Sequence, residues 1–228
     1  MTHAMLEAWS RTNAVLLVLA SALSLALGEP WPLAVTALIS FTRLIIGYSR
    51  AWTPSGAFGI ANGVTALRLL AIVALGALLS SAPPHWLAAL VLVLFALDGL
   101  DGSLARRRGV ASEFGAHFDM ETDALLVMTV TLLLFQGGKC GAWVLSAGLL
   151  RYAYVLCLAV LPARGGEEPR SRFGRYAFAA LMLGLIAALA LPQKLAVAAA
   201  ALGVATVVTS FARSFYFSYA TPAAAAES

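Results

Sequence analysis

The sequence predicts an all-α fold, a polytopic transmembrane helix bundle. Two observations carry that prediction. Only 11% of the 228 residues are charged and 61% are hydrophobic, with a mean hydropathy of +0.87. A soluble domain carries about 25% charged residues. The apolar residues also fall in runs near bilayer length, separated by short turns of Pro, Gly and polar residues. At roughly 20 residues per span, the length accommodates about eight spans and leaves no room for a separate soluble domain. The net charge of +4 includes no basic stretch interleaved with aromatics, so no nucleic-acid partner is expected.

Residues 1–12 are a polar start with Glu7, Trp9 and Arg11. The apolar run 13–28 is short for a span and also resembles a signal-peptide core. A second run, 32–48, follows after only Gly28, Glu29, Pro30 and Trp31, so a transmembrane hairpin is the simpler reading. Residues 50–59 form a linker with Pro54, Gly56 and Gly59, and Trp52 and Phe58 suit an interfacial depth. Spans are then expected at 60–79, 85–104, 119–135, 142–161, 176–191 and 195–216. The breaks fall at Pro83 and Pro84, at Gly137 and Gly138, at Pro162, and at Pro192. Residues 163–175 read as a polar, basic loop. The organisation expected is a hairpin over 1–50, a main domain over 51–217 and a disordered tail over 218–228. Cys140 and Cys157 would lie about 25 Å apart on one helix and cannot bridge, so both read as apolar filler.

Lysines and arginines orient the bundle. With the N-terminus inside, the inner segments hold Arg11, Arg50, Arg106, Arg107, Arg108, Arg164, Arg170, Arg172, Arg175 and Arg213. The outer turns hold only Lys139 and Lys194. This positive-inside bias places both termini and the segment around Arg106 in the cytoplasm of a cell-membrane protein.

The chemistry concentrates in residues 98–123. Asp98 and Asp101 share one helix face, and Asp119 and Asp123 share another. Four carboxylates beside apolar runs are costly without a compensating cation. A divalent metal site is the economical answer, because hard cations take carboxylate oxygens. Gly102, Ala105 and Gly115 leave room for close approach of a ligand, and Arg106 can fork onto a phosphate. Arg107 and Arg108 read as positive-inside anchors. Glu121 lies two residues from both Asp119 and Asp123 and so points off their face. Glu113 and His117 also fall outside the pattern, and His117 reads as an interfacial residue.

The spacing D-x2-D-G-x2-A-R-x8-G-x3-D-x3-D resembles the signature of the CDP-alcohol phosphotransferase family. Asp98, Asp101, Gly102, Ala105, Arg106, Gly115, Asp119 and Asp123 fill it without a gap. The resemblance extends more loosely over about 59–216. It implies six core helices, to which the N-terminal hairpin is an addition, and an integral membrane transferase. It implies that Asp98, Asp101 and Asp119 hold metal and CDP. Asp123 would share the metal, Mg2+ or Mn2+ as two ions, and take the acceptor hydroxyl proton. The implied donor is CDP-diacylglycerol and the acceptor a small polar alcohol, with CMP released. A homodimer is expected by the same resemblance, with Ala142, Ala147 and Gly148 as a small-residue face.

Two further constellations stand out. Asn62, Thr65 and Arg68 form a polar stripe at i, i+3, i+6 and are similar to the N-x2-T-x2-R of the first family helix. Asn62 and Thr65 read either as nucleotide or metal contacts or as interhelical hydrogen bonds. Arg151 sits mid-span, which is costly without a partner. Ser171 to Arg175 is similar to a family S-x2-G-K element, with Arg175 in place of Lys. Arg151, Arg172 and Arg175 could together form an anion pocket for a phosphorylated acceptor.

The acceptor itself is left open. Ala124 follows the last Asp, and the stretch lacks the D-P-x2-D-K, D-S-x2-D and post-Asp Arg variants of the family's glycerophosphate, serine and inositol-phosphate enzymes. Transfer of phosphocholine or phosphoethanolamine from a CDP-alcohol to a lipid also stays open. So do two other classes, a prenyltransferase and an ion-coupled transporter using buried acids.

Overall fold

A computed structural model describes residues 2–49, 51–78, 80–108, 112–161 and 172–220. Within the helices, the side chains of Thr2, residues 98–108, Arg172, Ser218 and Ala220 lie outside the description. The described residues form eight α-helices: α1 (Thr2–Leu27), α2 (Trp31–Gly47), α3 (Ile60–Ala77), α4 (Pro84–Arg108), α5 (Glu113–Gln136), α6 (Leu145–Val160), α7 (Arg172–Ala190) and α8 (Gln193–Ala220). A 3-10 turn, Ala142–Val144, precedes α6.

The all-α bundle and its N-terminal hairpin follow the sequence expectation. The ends differ, mostly by extension. The polar start belongs to α1, and α7 begins at Arg172, inside the stretch read as a loop. α8 runs on to Ala220, past the expected start of the tail, whose residues 221–228 lie outside the described ones. Among the described residues, five helical segments are long and apolar enough to cross a membrane, on α1, α3, α6, α7 and α8. α2 and the apolar part of α4 are shorter. α5 is long enough but carries Asp119, Glu121 and Asp123.

α5 is the central helix. Every residue over 124–134 is buried, as an element apolar on all sides requires. α1, α3, α6 and α7 pack around it. Close approach depends on small residues. A Cβ at Gly148 of α6 would come within 2.9 Å of the Met128 Cα on α5. One at Gly184 of α7 would come within 2.6 Å of the Ala199 carbonyl on α8. Of the small residues expected to form a homodimer face, Gly148 and Ala147 are buried inside the chain and Ala142 is exposed. The outward faces carry large exposed apolar residues, among them Leu19, Ile39, Leu67, Leu78 and Leu202, as lipid contact requires.

Turn chemistry sets the two ends. Gly28 at φ +71° reverses the chain between α1 and α2, and Ser24 Oγ accepts from the Leu33 amide to close the hairpin. The Gln136 amide donates to the Ser24 carbonyl, and Lys139 Nζ donates to the Leu191 carbonyl at 2.9 Å. Those turns therefore share one end. At the other end Ser112 caps α5, accepting from the Gly115 amide and donating to the Trp52 carbonyl at 2.6 Å. His3 of α1 pairs with Glu113 there. The motif acids on α5 lie toward this second end.

Candidate active site

The N-terminal half of α5 presents two faces of opposite use. Asp119 and Asp123, one turn apart, face α3. Arg68 Nη1 donates to Asp119 Oδ1 at 2.8 Å, and Arg68 Nη2 donates to Asp123 Oδ1 at 2.5 Å. The planar guanidinium reaches both carboxylates from one position, which a lysine ammonium could not do in the same way. Arg68 is fully buried, whereas the Asp119 side chain is 41% exposed and that of Asp123 19%. The acids thus open outward while their counter-ion is sealed behind them. The sequence reading assigned no role to Arg68 beyond its place in the stripe. A buried arginine on the helix packed beside the acids was the signal that could have found it.

Asn62 and Thr65 are buried at the same interface. Asn62 Nδ2 donates to the Phe58 carbonyl at 2.7 Å and to the Trp52 carbonyl at 3.3 Å. Thr65 Oγ1 donates to the Ala61 carbonyl of its own helix. These bonds tie the linker to α3; none of them crosses to a neighbouring helix. A Cβ at Gly115 would meet Asn62 Oδ1 at 2.8 Å, so this glycine lets α3 and α5 approach. That is a packing reason for a position the sequence reading gave to nucleotide approach.

Asp98, Asp101, Gly102, Ala105 and Arg106 occupy the last turns of α4, where the backbone is helical. Asp98 and Asp101 therefore share a face, as their spacing requires. Their side chains, and that of Arg172, lie outside the described residues.

A cavity of about 850 Å3 opens beside the acids. Asp119, Asp123, Arg151 and Arg175 line it together. Its remaining wall is largely apolar, from Phe95 on α4, Val127 on α5, Phe178 and Leu181 on α7, and Val207 and Phe211 on α8. Two of the three arginines expected to form one anion pocket are thus brought together.

Arg151 has a partner the sequence reading did not identify. Its Nη2 donates to Glu121 Oε1 at 2.8 Å. Glu121 does point off the face of Asp119 and Asp123, as expected, but into the protein, where it is fully buried. A buried Glu and a mid-span Arg each need an opposite charge, and that mutual need was the available signal. His117 lies at the start of α5 with its Nδ1 near the Glu113 carbonyl, in keeping with an interfacial residue.

Two carboxylates among the described residues suit a hard divalent cation, and among those residues no group of three His, Cys, Asp or Glu side chains that could hold one comes together. Asp119 and Asp123 converge on one cationic group, so their geometry accommodates positive charge between them, and carboxylate oxygen suits Mg2+ or Mn2+.

A family model for CDP-alcohol phosphatidyltransferase matches residues 58–211. No curated protein and no solved structure matches the chain. The family match runs from the end of the linker through α3 to most of α8 and leaves α1 and α2 outside it. Since the match spans more than half of the 228 residues and contains Arg68, the motif acids and the cavity, the chain belongs to the CDP-alcohol phosphatidyltransferase family, membrane transferases of phospholipid synthesis.

Proposed function

We propose that this chain transfers a phosphatidyl group from CDP-diacylglycerol to a small polar alcohol and releases CMP on the cytoplasmic side of the membrane. The observation that carries this reading is the cavity. Charged groups meet an apolar wall in one space, as a site that takes a diphosphate and acyl chains together requires. Asp98, Asp101, Asp119 and Asp123 would hold two Mg2+ or Mn2+ ions. Such ions, when bound, neutralise charge that develops on phosphate oxygens.

The chain's own residues do the rest. Gly102, Ala105 and Arg106 receive the nucleotide end, with Gly115, Asn62 and Thr65 shaping the α3–α5 side of the site. Arg151, Arg172 and Arg175 bind the acceptor, whose phosphate or other anionic group would offset their charge. Asp123 takes the acceptor hydroxyl proton. The acceptor oxygen then bonds to the phosphorus that carries diacylglycerol, the diphosphate P–O bond breaks, and CMP leaves with the electron pair. Membership of the CDP-alcohol phosphatidyltransferase family sets aside the carrier and prenyltransferase readings.

Donor choice is tested with the purified full chain and Mg2+. Labelled CDP-diacylglycerol with a panel of small alcohols should yield a labelled phospholipid. CDP-choline with diacylglycerol should yield none. The opposite result would reverse donor and acceptor.

The cytoplasmic placement rests on the charge bias and is tested by labelling. The exposed Ala116, near the start of α5, serves as the probe. In a background lacking Cys140 and Cys157, Ala116→Cys should react with a membrane-impermeant thiol reagent from the cytoplasmic side only. Ser81→Cys, in the exposed α3–α4 turn, should react from the outside only. Labelling of Ala116→Cys from outside would invert the bundle and remove the nucleotide's access to the site.

A further inference from the structure

The N-terminal hairpin lies outside the matched family region, yet it supplies polar partners to a buried acid beside the active site. Ser10 Oγ of α1 donates to Glu121 Oε1 at 3.2 Å. Asn13 Nδ2 donates to Glu121 Oε2 at 3.4 Å. Asn13 is itself held from α2, where Ser40 Oγ donates to Asn13 Oδ1 at 2.7 Å. Trp9 Nε1 in turn donates to the Ser40 carbonyl. Ser10, Asn13, Ser40 and Glu121 are all buried, Asn13 and Glu121 completely. The other partner of Glu121 is Arg151, which lines the cavity with Asp119 and Asp123.

A carboxylate with no solvent access needs donors on both oxygens. Arg151 meets one oxygen of Glu121. Asn13 of the hairpin meets the other and fixes the direction of the carboxylate. The guanidinium of Arg151 then inherits that direction through its charge-assisted bond. An apolar pair would fill the same space without the cost of desolvating two charges. The charge pair instead leaves a cation at the wall of the cavity.

We infer that the N-terminal hairpin sets the acceptor site, with Asn13, Ser10 and Glu121 acting as positioning residues for Arg151. This rests on the assignment of Arg151 to the acceptor. Asn13 and Glu121 do not line the cavity, so their substitution acts only through Arg151.

The test uses the purified full chain with saturating CDP-diacylglycerol and Mg2+. Glycerol 3-phosphate, inositol 1-phosphate, inositol and serine serve as acceptor probes, and CMP release is measured for whichever is used. Asn13→Leu and Glu121→Gln should each raise the acceptor KM about tenfold, the size of one lost hydrogen bond to a charged group. CDP affinity by calorimetry should stay unchanged, which separates positioning from general loss of structure. Ser10→Ala provides a milder variant in case Asn13→Leu does not fold, and should move KM in the same direction. In an Arg151→Ala background, Asn13→Leu should add no further increase. If it adds its full effect there, or weakens CDP binding equally, the inference is overturned while the acceptor assignment stands. If Arg151→Ala itself leaves the acceptor KM unchanged, the acceptor assignment fails first.

Discussion

Arg68→Met is expected to destabilise the chain by about 3 kcal/mol, the lower end for breaking a buried ion pair, because Asp119 keeps partial solvent access. Arg68 is fully buried and bonds two carboxylates from one guanidinium, so its loss leaves Asp119 and the more enclosed Asp123 facing one another without that charge. Thermal unfolding in detergent measures the loss. CMP release should fall by about 10² or more, since a misplaced acid at the reacting centre costs on that scale. Added Mg2+ should recover part of the lost stability, because a divalent cation at the acids replaces the missing positive charge. Arg68→Lys should lie between, keeping the charge and losing the fork. A melting temperature unchanged in Arg68→Met would show that the pair contributes nothing to the fold.

The second large effect separates the acids by role. Asp98→Asn is expected to lose both CDP affinity and turnover, because it removes a metal-holding charge. Asp123→Asn should lose turnover by about 10² or more, the usual scale for a lost general base, while much of the CDP affinity remains. Asp119 and Asp123 both line the cavity proposed to take the acceptor. Calorimetric titration of CDP with Mg2+, paired with CMP release, reads both quantities. Normal turnover in Asp123→Asn would move the base to another group, with Asp119 the nearest candidate.

The bundle was legible because lipid exposure leaves its mark on composition. Apolar runs and Pro or Gly breaks located each helix to within a few residues, apart from the polar ends of α1 and α5. At those ends His3 pairs with Glu113 across the bundle and Ser112 caps α5. Tertiary partners of that kind are not written in local periodicity. Spacing placed Asp119 and Asp123 on one face, where both accept from Arg68. Their counter-ion was not legible, because Arg68 lies far away in the chain and only packing of α3 on α5 brings it to Asp119 and Asp123. Glu121 was correctly turned away from the motif face, but its partners come from α1 and α6. Of the small residues Ala142, Ala147 and Gly148, the last two are buried inside the chain and Ala142 is exposed, and sequence cannot say which neighbour a small face will meet.

The central claim is a metal-dependent transfer from a CDP-linked lipid at the acids of α4 and α5. The most direct measurement is CMP release by the purified chain from labelled CDP-diacylglycerol with an acceptor panel, with Mg2+ or Mn2+ and again with excess chelator. The account predicts CMP and a labelled phospholipid in equal amounts with metal, and neither with chelator. Equal CMP release in both conditions would contradict it.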